Sequence, residues 1–552
     1  MKRIHLFLTF VGIWVVWNPG VAELHSDSKE PAGRVHLVLL ATADLHGNLL
    51  PKDYHANSER SVGLAKLATM IHGIRAEHPQ SQVMLLDAGD TIQGTPLAYY
   101  HARKHNAPED PMMRVKNHLK YDAMTVGNHE FNFGLQVLRK AEQEAEFPWL
   151  SANIYEVGSD ATAFAPYLVK NLSGVRVGVI GITTPGMPAW EEPANIEGLR
   201  FENPVEQAQK WVHHLRHVEQ VDAVVILAHM GLEQDLRTGL ATNDVVPMEN
   251  AALRLARQVE GVDVILMAHT HRAVEALDVN GVRLVQPGRH GDHLARVDLY
   301  FDVTDGKATR IALNSRLLPV TEQVPADPEV VAIATPYDAA TEAWLDQPIG
   351  YSEKALYATR ARFEDSAILD LVHRVQLEVG NADLSFAASF TESAHIPAGP
   401  VTVRDIAGLY IYENTLMILE MTGQQVLDAL EHSAKYFKQA KGSEDIESLV
   451  DKTMPGYNFD TVEGLSYQID LRRPVGLRIQ NATYEGEALR PEQRFRVAVN
   501  HYRRNGGGGY AMFRDAPVLH RSSDSIRNLI IEWVSERKHI PTEASQNWEL
   551  LY

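Results

Sequence analysis

The sequence predicts a two-domain α/β protein with a helix between the domains, and three features predict it. Apolar runs long enough for buried strands alternate with amphipathic segments at helical spacing from residue 35 to about residue 301. Each run ends in a polar tip, as strands do in an open α/β sheet whose loops gather around a ligand. Three prolines, Pro319, Pro325 and Pro328, with the acids Glu322 and Asp327, then interrupt the pattern before a second region of helices and strands.

Residues 35–43 form a largely apolar run of the kind a strand buried on both faces shows, and they deliver Asp44 and His46. Leu64, Leu67, Ala68, Ile71 and Ile74 recur at helical spacing and return the chain to a strand at 82–86, which ends in Asp87-Ala88-Gly89-Asp90. Residues 124–126 lead to Asn128, 177–182 to Thr183-Thr184-Pro185, 223–227 to His229, and 264–267 to His269. Residues 284–288 and 295–301 read as further strands closing the first domain. Residues 330–345 read as a connecting helix, stopped by Pro348-Ile349-Gly350. Beyond Tyr351, helices at 366–379 and 423–436 alternate with strands at 384–387, 416–421 and 495–499. The expected organisation is a first domain over 33–320, a linker helix over 321–350 and a second domain over 351–552.

At 552 residues the chain exceeds what one core fills, and 45% apolar residues are enough for two. A formal charge of −19 argues against a nucleic-acid polymer as partner, because a phosphate backbone binds a basic face. If phosphate is handled here, metal cations must supply the positive field. Lys2-Arg3, an apolar core over 4–17 and the small residues of Asn18-Pro19-Gly20-Val21-Ala22 read as a cleavable signal peptide over 1–22. That core is shorter than the roughly 20 apolar residues a span needs, so a periplasmic or secreted mature protein without a membrane anchor is expected. The absence of cysteine excludes disulfides, lipoprotein anchoring and thiolate metal ligation together.

Seven ligand-type residues stand at the strand tips: Asp44, His46, Asp90, Asn128, His229, His269 and His271. Singly each has an ordinary explanation, Asp90 as a helix cap and His229 as a core histidine among them. Jointly they are too many for one tetrahedral ion and suit two ions sharing a carboxylate. Extended backbone would project the outer residues of Asp44-Leu45-His46 and His269-Thr270-His271 to one side, with Leu45 and Thr270 facing away. His213, His214 and His217 fall instead in a polar helical segment and are expected to be a solvated face.

Ala43-Asp44-Leu45-His46-Gly47, Gly89-Asp90, Gly127-Asn128-His129-Glu130, His229 and Ala268-His269-Thr270-His271 resemble the five signatures of the calcineurin-like metallophosphoesterases. Their order and spacing are similar to those of the 5'-nucleotidase family within that superfamily, and the likeness runs through residues 286–293 into the second domain. The resemblance implies an N-terminal αββα sandwich metallophosphoesterase domain and an α/β (α+β) C-terminal substrate-binding domain. It implies one ion on Asp44, His46, Asp90 and His271 and another on Asp90, Asn128, His229 and His269, with Asp90 bridging. Two divalent ions are therefore expected, and a donor set without thiolate suits Zn, Mn, Co or Mg. A water activated by both cations would attack phosphorus in line.

In the family that His129 resembles by position, the catalytic histidine is partnered by an aspartate three residues on; this chain has Asn132 there. An asparagine can orient an imidazole but cannot stabilise it by charge. The Asn128-His129-Glu130-Phe131-Asn132 form is similar to the 2',3'-cyclic-nucleotide 2'-phosphodiesterase/3'-nucleotidase branch, which makes His129 and Asn132 the expected catalytic pair.

In the second domain, Gly456-Tyr457-Asn458-Phe459-Asp460 and residues 500–507 resemble the segments that supply two stacked aromatics in the family. Tyr457 and Tyr502 would sandwich a nucleobase, each face contributing about 1 to 3 kcal/mol, with Asn458, Gly507 and Gly508 beside them. The glycines from 506 to 509 would let backbone approach a ligand closely. The 5'-nucleotidase branch carries a Gly-Gly-x-Arg segment on the substrate phosphate, whereas residues 387–392 read Ala-Ala-Ser-Phe-Thr-Glu. The expected activity is hydrolysis of 2',3'-cyclic nucleotides to 3'-nucleotides and then to nucleoside and phosphate, by a monomer. A 5'-nucleotidase or UDP-sugar diphosphate hydrolase is the first alternative, and a non-catalytic nucleotide-binding or adhesive surface protein the second.

Overall fold

The computed structural model describes residues 33–79, 82–234, 239, 247–412, 414–442 and 444–552; the segment 1–22, expected from its sequence to be a signal peptide, lies outside the described residues. Two six-stranded sheets stack face to face in the first half. The first runs, in spatial order, Lys307–Pro319, His293–Thr304, Arg34–Thr42, Val83–Asp87, Ala123–Thr125 and Trp149–Leu150. The second runs Ala273–Val279, Val282–Pro287, Val264–Met267, Ala223–His229, Val175–Thr183 and Tyr167–Leu172. In each sheet four consecutive strands are parallel and the remaining pairings are antiparallel.

The pleat of Arg34–Thr42 explains why its sequence is apolar without alternation. Leu37, Leu39 and Ala41 point between the sheets against Val177, Val179, Val225, Leu227 and Leu266. Val38 and Leu40, one residue out of phase, meet Leu64, Leu67, Ala68 and Ile71 of the helix Leu64–Glu77. Each leucine, valine or isoleucine among them, fully buried, contributes about 1.5 to 3 kcal/mol. The helices Pro204–His217 and Ala252–Gln258 cover the outer face of the second sheet. The architecture is the expected αββα sandwich. On the helix Pro204–His217, His213 and His217 are exposed as predicted, while half-buried His214 lies 3.2 Å from the Tyr167 hydroxyl.

Lys307–Pro319 is a strand the hydropathy pattern does not signal. It pairs with His293–Thr304 across Asp305 and Gly306, both at positive φ (52° and 75°), the backbone of a tight two-residue hairpin. The helix Pro328–Leu345 follows, capped by Asp327, which accepts from the Glu329 and Val330 amides at 2.9 and 3.1 Å. Its Val330 and Ala334 pack into the first-half core, while Trp344 and Leu345 pack with Tyr99 and Phe133 and with Val403 and Ala407 of the second half. Lys52 pairs with Asp338 at 3.1 Å from one side and Arg404 with Glu342 at 2.5 Å from the other.

The second half is built on a five-stranded sheet ordered Asp460–Glu463, Leu384–Ala388, Arg494–Asn500, Thr415–Thr422 and Val518–Ser525. The helices Ala367–Gly380 and Gly423–Ser433 pack on it, the second begun by a capping box between Thr422 and Gln425. Among the described residues no helix is long and apolar enough to cross a membrane.

Candidate metal centre

The seven ligand-type residues converge where the parallel strands of both sheets end. Asp44 and His46 follow Arg34–Thr42, Asp90 follows Val83–Asp87, and Asn128 follows Ala123–Thr125, all from the first sheet. His229 closes Ala223–His229, and His269 and His271 follow Val264–Met267, from the second. The extended alternation expected for the two Asp/His-x-His triplets does not occur. Asp44, His46, Asp90, His269 and His271 all hold positive φ, between 47° and 71°, so each turns off its strand in the left-handed region. That conformation aims His269 and His271 at different donor groups rather than to one side.

Two groups of donors result. Asp44, His46 and His271 form one and Asp90, His229 and His269 the other, with the donor atoms of each within 4.8 Å of one another. His46 Nε2 lies 3.0 Å from His271 Nε2, and His271 Nε2 3.6 Å from Asp44 Oδ1. Asn128 Oδ1 lies 3.0 Å from His229 Nε2 and 2.9 Å from His269 Nδ1. Asp90 Oδ2 stands between the groups, 3.1 Å from His229 Nε2 and 3.8 Å from His46 Nε2. Bonds of about 2.0 to 2.2 Å to a divalent ion place neighbouring donors roughly 3.0 to 3.5 Å apart, so this set fits two ions that share one aspartate.

Neighbouring carbonyls choose the imidazole tautomers. His229 Nδ1 donates to the Ala88 carbonyl at 2.8 Å, and His46 Nδ1 to that of Gln93 at 3.2 Å, which leaves each Nε2 lone pair facing the site. Burial pushes the His46 imidazole well below its ordinary pKa and that of His271 down to about 3, keeping both neutral and able to donate a lone pair. Burial alone would raise Asp90, but His229, His129 and His46 outweigh it and hold this carboxyl well below its usual range. Burial opposes charge on His229 too, yet Asp90 beside it lifts that imidazole to about 10, so without an ion a proton stands between Nε2 and Asp90 Oδ2, and a bound ion would take its place on that lone pair. Burial drives Asp44 well above the usual carboxylate range.

Glu130, which the sequence reading quotes without a role, locks the loops together. It accepts from the amides of Asp90 (2.9 Å), Thr91 (2.5 Å) and Gly127 (2.7 Å), so one fully buried carboxylate fixes two ligand-bearing loops. Below them the buried Lys116 ammonium pairs with Asp87 at 3.0 Å and donates to Thr91 Oγ1 at 2.7 Å. His129 donates its main-chain N–H to Asp90 Oδ1 at 2.8 Å, which holds its half-buried ring over the centre, and its Nδ1 meets Asn132 Oδ1 at 2.6 Å.

The second half leaves two of its expected base-stacking aromatics open to solvent. Tyr457 and Tyr502 are 38% and 40% exposed, which removes the core-tyrosine explanation for both. Buried Arg503 ties their segments together, donating to the Tyr457 carbonyl at 2.6 Å, to Asn458 Oδ1 and the Gly507 carbonyl at 3.2 Å each, and to both Asp460 oxygens. Asn458, Gly507 and Gly508 thus lie beneath the tyrosines: a Cβ on Gly507 would stand 2.5 Å from the Tyr502 ring, and one on Gly508 2.4 Å from Asn458 Oδ1. Charged groups beside the donors also act electrostatically on tyrosines of the second half. Glu249, 3.5 Å from His269 Nε2, also acts on the Tyr502 phenol, and Arg289, 3.4 Å from His271 Nδ1, acts on the Tyr412 phenol. The sequence reading assigns no role to Arg503 or Glu249, whose partners are distant in sequence.

Two stacked sheets whose parallel strand ends gather paired nitrogen and oxygen donors define a metal-dependent phosphoester hydrolase. The calcineurin-like phosphoesterase family matches residues 37–273 and the 5'-nucleotidase C-terminal domain residues 348–515. The chain is 31% identical over 590 residues to a 2',3'-cyclic-nucleotide 2'-phosphodiesterase/3'-nucleotidase of Salmonella typhimurium, covering 94% of this chain and 89% of that one. It is 30% identical over 593 residues to the trifunctional nucleotide phosphoesterase protein YfkN of Bacillus subtilis, covering 96% of this chain but only 40% of that longer protein. A Staphylococcus aureus crystal structure in complex with alpha-ketoglutarate superposes with a TM-score of 0.79 at 29% identity, over 94% of this chain and 100% of the other. The chain belongs to the calcineurin-like metallophosphoesterases of the 5'-nucleotidase family.

Proposed function

We propose that the chain hydrolyses 2',3'-cyclic nucleotides to 3'-nucleotides and then removes the 3'-phosphate, outside the cytoplasm after export by the segment 1–22. Asp44, His46, Asp90 and His271 would hold one divalent ion and Asp90, Asn128, His229 and His269 the other. When bound, two such ions neutralise phosphoryl charge and lower the pKa of a water to make a nucleophile at neutral pH. The chain's own residues do the rest. His129 faces the phosphoryl group with Nε2 and serves the leaving oxygen, with Asn132 on its other nitrogen. Tyr457 and Tyr502 hold the base.

The observation that carries the choice of substrate is the segment 387–392. The arginine that reaches it, Arg362, is committed to the Ser389 carbonyl at 2.9 Å and to Glu392 at 2.6 Å rather than aimed at a phosphate. The name of the Salmonella relative supports the same reading. Relative kcat/KM on 2',3'-cyclic AMP, 3'-AMP, 5'-AMP and UDP-glucose, with Zn, Mn, Co or Mg supplied, tests it. The cyclic and 3' esters should exceed the other two by about tenfold or more, roughly 1.4 kcal/mol in transition-state binding. A preference for 5'-AMP or UDP-glucose overturns the substrate assignment, and no turnover of any overturns catalysis.

A further inference from the structure

We propose that Glu191 is a positioning residue for His129, acting at one remove: it fixes the Asn132 amide, and Asn132 fixes the imidazole. The inference deepens the hydrolase reading above and rests on it.

An asparagine beside a histidine is ambiguous by itself. Rotating the amide by half a turn exchanges Oδ1 and Nδ2, and the imidazole would then meet a donor instead of an acceptor at Nδ1. That exchange would deprive an Nδ1–H of its acceptor and set two donors against each other. Glu191 removes the choice. Its Oε2 lies 2.6 Å from Asn132 Nδ2, while its Oε1 accepts from Asn195 Nδ2 and from the Glu192 amide at 2.9 Å each. Burial raises the Glu191 carboxyl and the N–H groups around it oppose that rise; with two donors already on Oε1, Oε2 is left to accept from the NH2 side of Asn132. Oδ1 must therefore face His129, 2.6 Å away, so Nδ1 keeps its own proton against that acceptor and any proton given to the leaving oxygen departs from Nε2. Nε2 is left facing the phosphoryl group.

The carboxylate is itself held. Glu191 ends the short helix Met187–Trp190, its amide donating to the Met187 carbonyl at 2.9 Å, and the turn Pro193–Ile196 brings Asn195 against it. Arg103 steadies the far side of Asn132 by donating to its carbonyl at 3.2 Å. The next residue, Glu192, accepts from Thr415 Oγ1 of the second domain at 3.1 Å, so the segment that orients the catalytic imidazole also touches the substrate-binding half. An aspartate at 132 would place a carboxylate directly on the imidazole. Here the carboxylate stands one amide further back, and the asparagine transmits its orienting effect.

The test compares Glu191→Ala, Glu191→Gln, Asn132→Asp and the double variant Asn132→Asp/Glu191→Gln with wild type, with metal content and melting temperature recorded for each. The substrates are 3'-AMP and bis-p-nitrophenyl phosphate, whose leaving group needs little help from a proton donor. Glu191→Ala should lower kcat on 3'-AMP by about 10- to 100-fold with KM within about 2-fold and bound metal unchanged, while the nitrophenyl ester loses about 3-fold or less. Asn132→Asp alone should be poor, since it sets two carboxylates against each other at the position of a 2.6 Å contact. The double variant, with a carboxylate on the imidazole and an amide behind it, should recover to within about 3-fold of wild type. Equal losses on both substrates, a Glu191→Ala kcat within 2-fold of wild type, or a double variant no better than Glu191→Gln would overturn the inference while leaving an active wild-type hydrolase. A wild type inactive on both esters would overturn the hydrolase reading and this inference with it.

Discussion

Five of the seven proposed ligands sit at positive φ without being glycine, a conformation that costs of order 1 kcal/mol or more each and persists only where surrounding bonds dictate it. Those bonds are present: the amides of Asp44 and His46 donate to the Gly89 and Asp90 carbonyls at 2.9 and 2.8 Å, and that of His269 to Asp44 Oδ1 at 2.9 Å. Strain of this kind, concentrated at donor side chains, is what a preformed metal site requires. If Asp90 serves both ions, Asp90→Ala should lower kcat/KM by about a thousandfold or more on every ester, roughly 4 kcal/mol, and reduce bound metal. A variant keeping a tenth of wild-type activity would remove the bridging role. That these residues would meet was legible because each follows an apolar run. Their presentation was not, because aspartate and histidine carry no mark of left-handed backbone, and the extended-strand expectation failed there. Glu130 and Glu191 were equally silent, since a carboxylate that accepts backbone or amide N–H groups reads in sequence like any other acid.

At the scale of elements, legibility followed hydropathy. Strands buried on both faces, such as Arg34–Thr42 and Ala223–His229, announce themselves; Lys307–Pro319, half-exposed at a sheet edge, carries polar residues throughout and hides behind its neighbours. Its signal was the Asp305-Gly306 turn. The end of Val83–Asp87 depends on a different device, the Lys116–Asp87 pair, both wholly buried. Lys116→Ala leaves that carboxylate uncompensated and should cost about 3 to 5 kcal/mol in urea unfolding. A loss below 1 kcal/mol would mean the pair is dispensable. In the turn that carries Tyr502, Gly507→Ala drives a methyl into the ring, and KM for 3'-AMP should rise about tenfold while turnover of bis-p-nitrophenyl phosphate stays near wild type. Unchanged KM would take Tyr502 out of base binding.

For the whole molecule, the helix Pro328–Leu345, the Lys52–Asp338 and Arg404–Glu342 pairs and the Thr415–Glu192 hydrogen bond join the half that carries Tyr457 and Tyr502 to the half that carries the donor groups. Chelation should show the dependence: ions bound only by the native state stabilise it by about 4 kcal/mol at a thousand times their Kd, so removing them should lower the melting temperature by several degrees, reversibly. No shift on chelation would separate metal from stability. The account as a whole rests on two ions sharing Asp90, and native mass spectrometry of the metal-free chain titrated with Mn or Zn counts them directly. Two ions per wild-type chain at saturation, and fewer in Asp90→Ala, is the predicted result; a wild-type chain that saturates at one ion, or binds none, contradicts it.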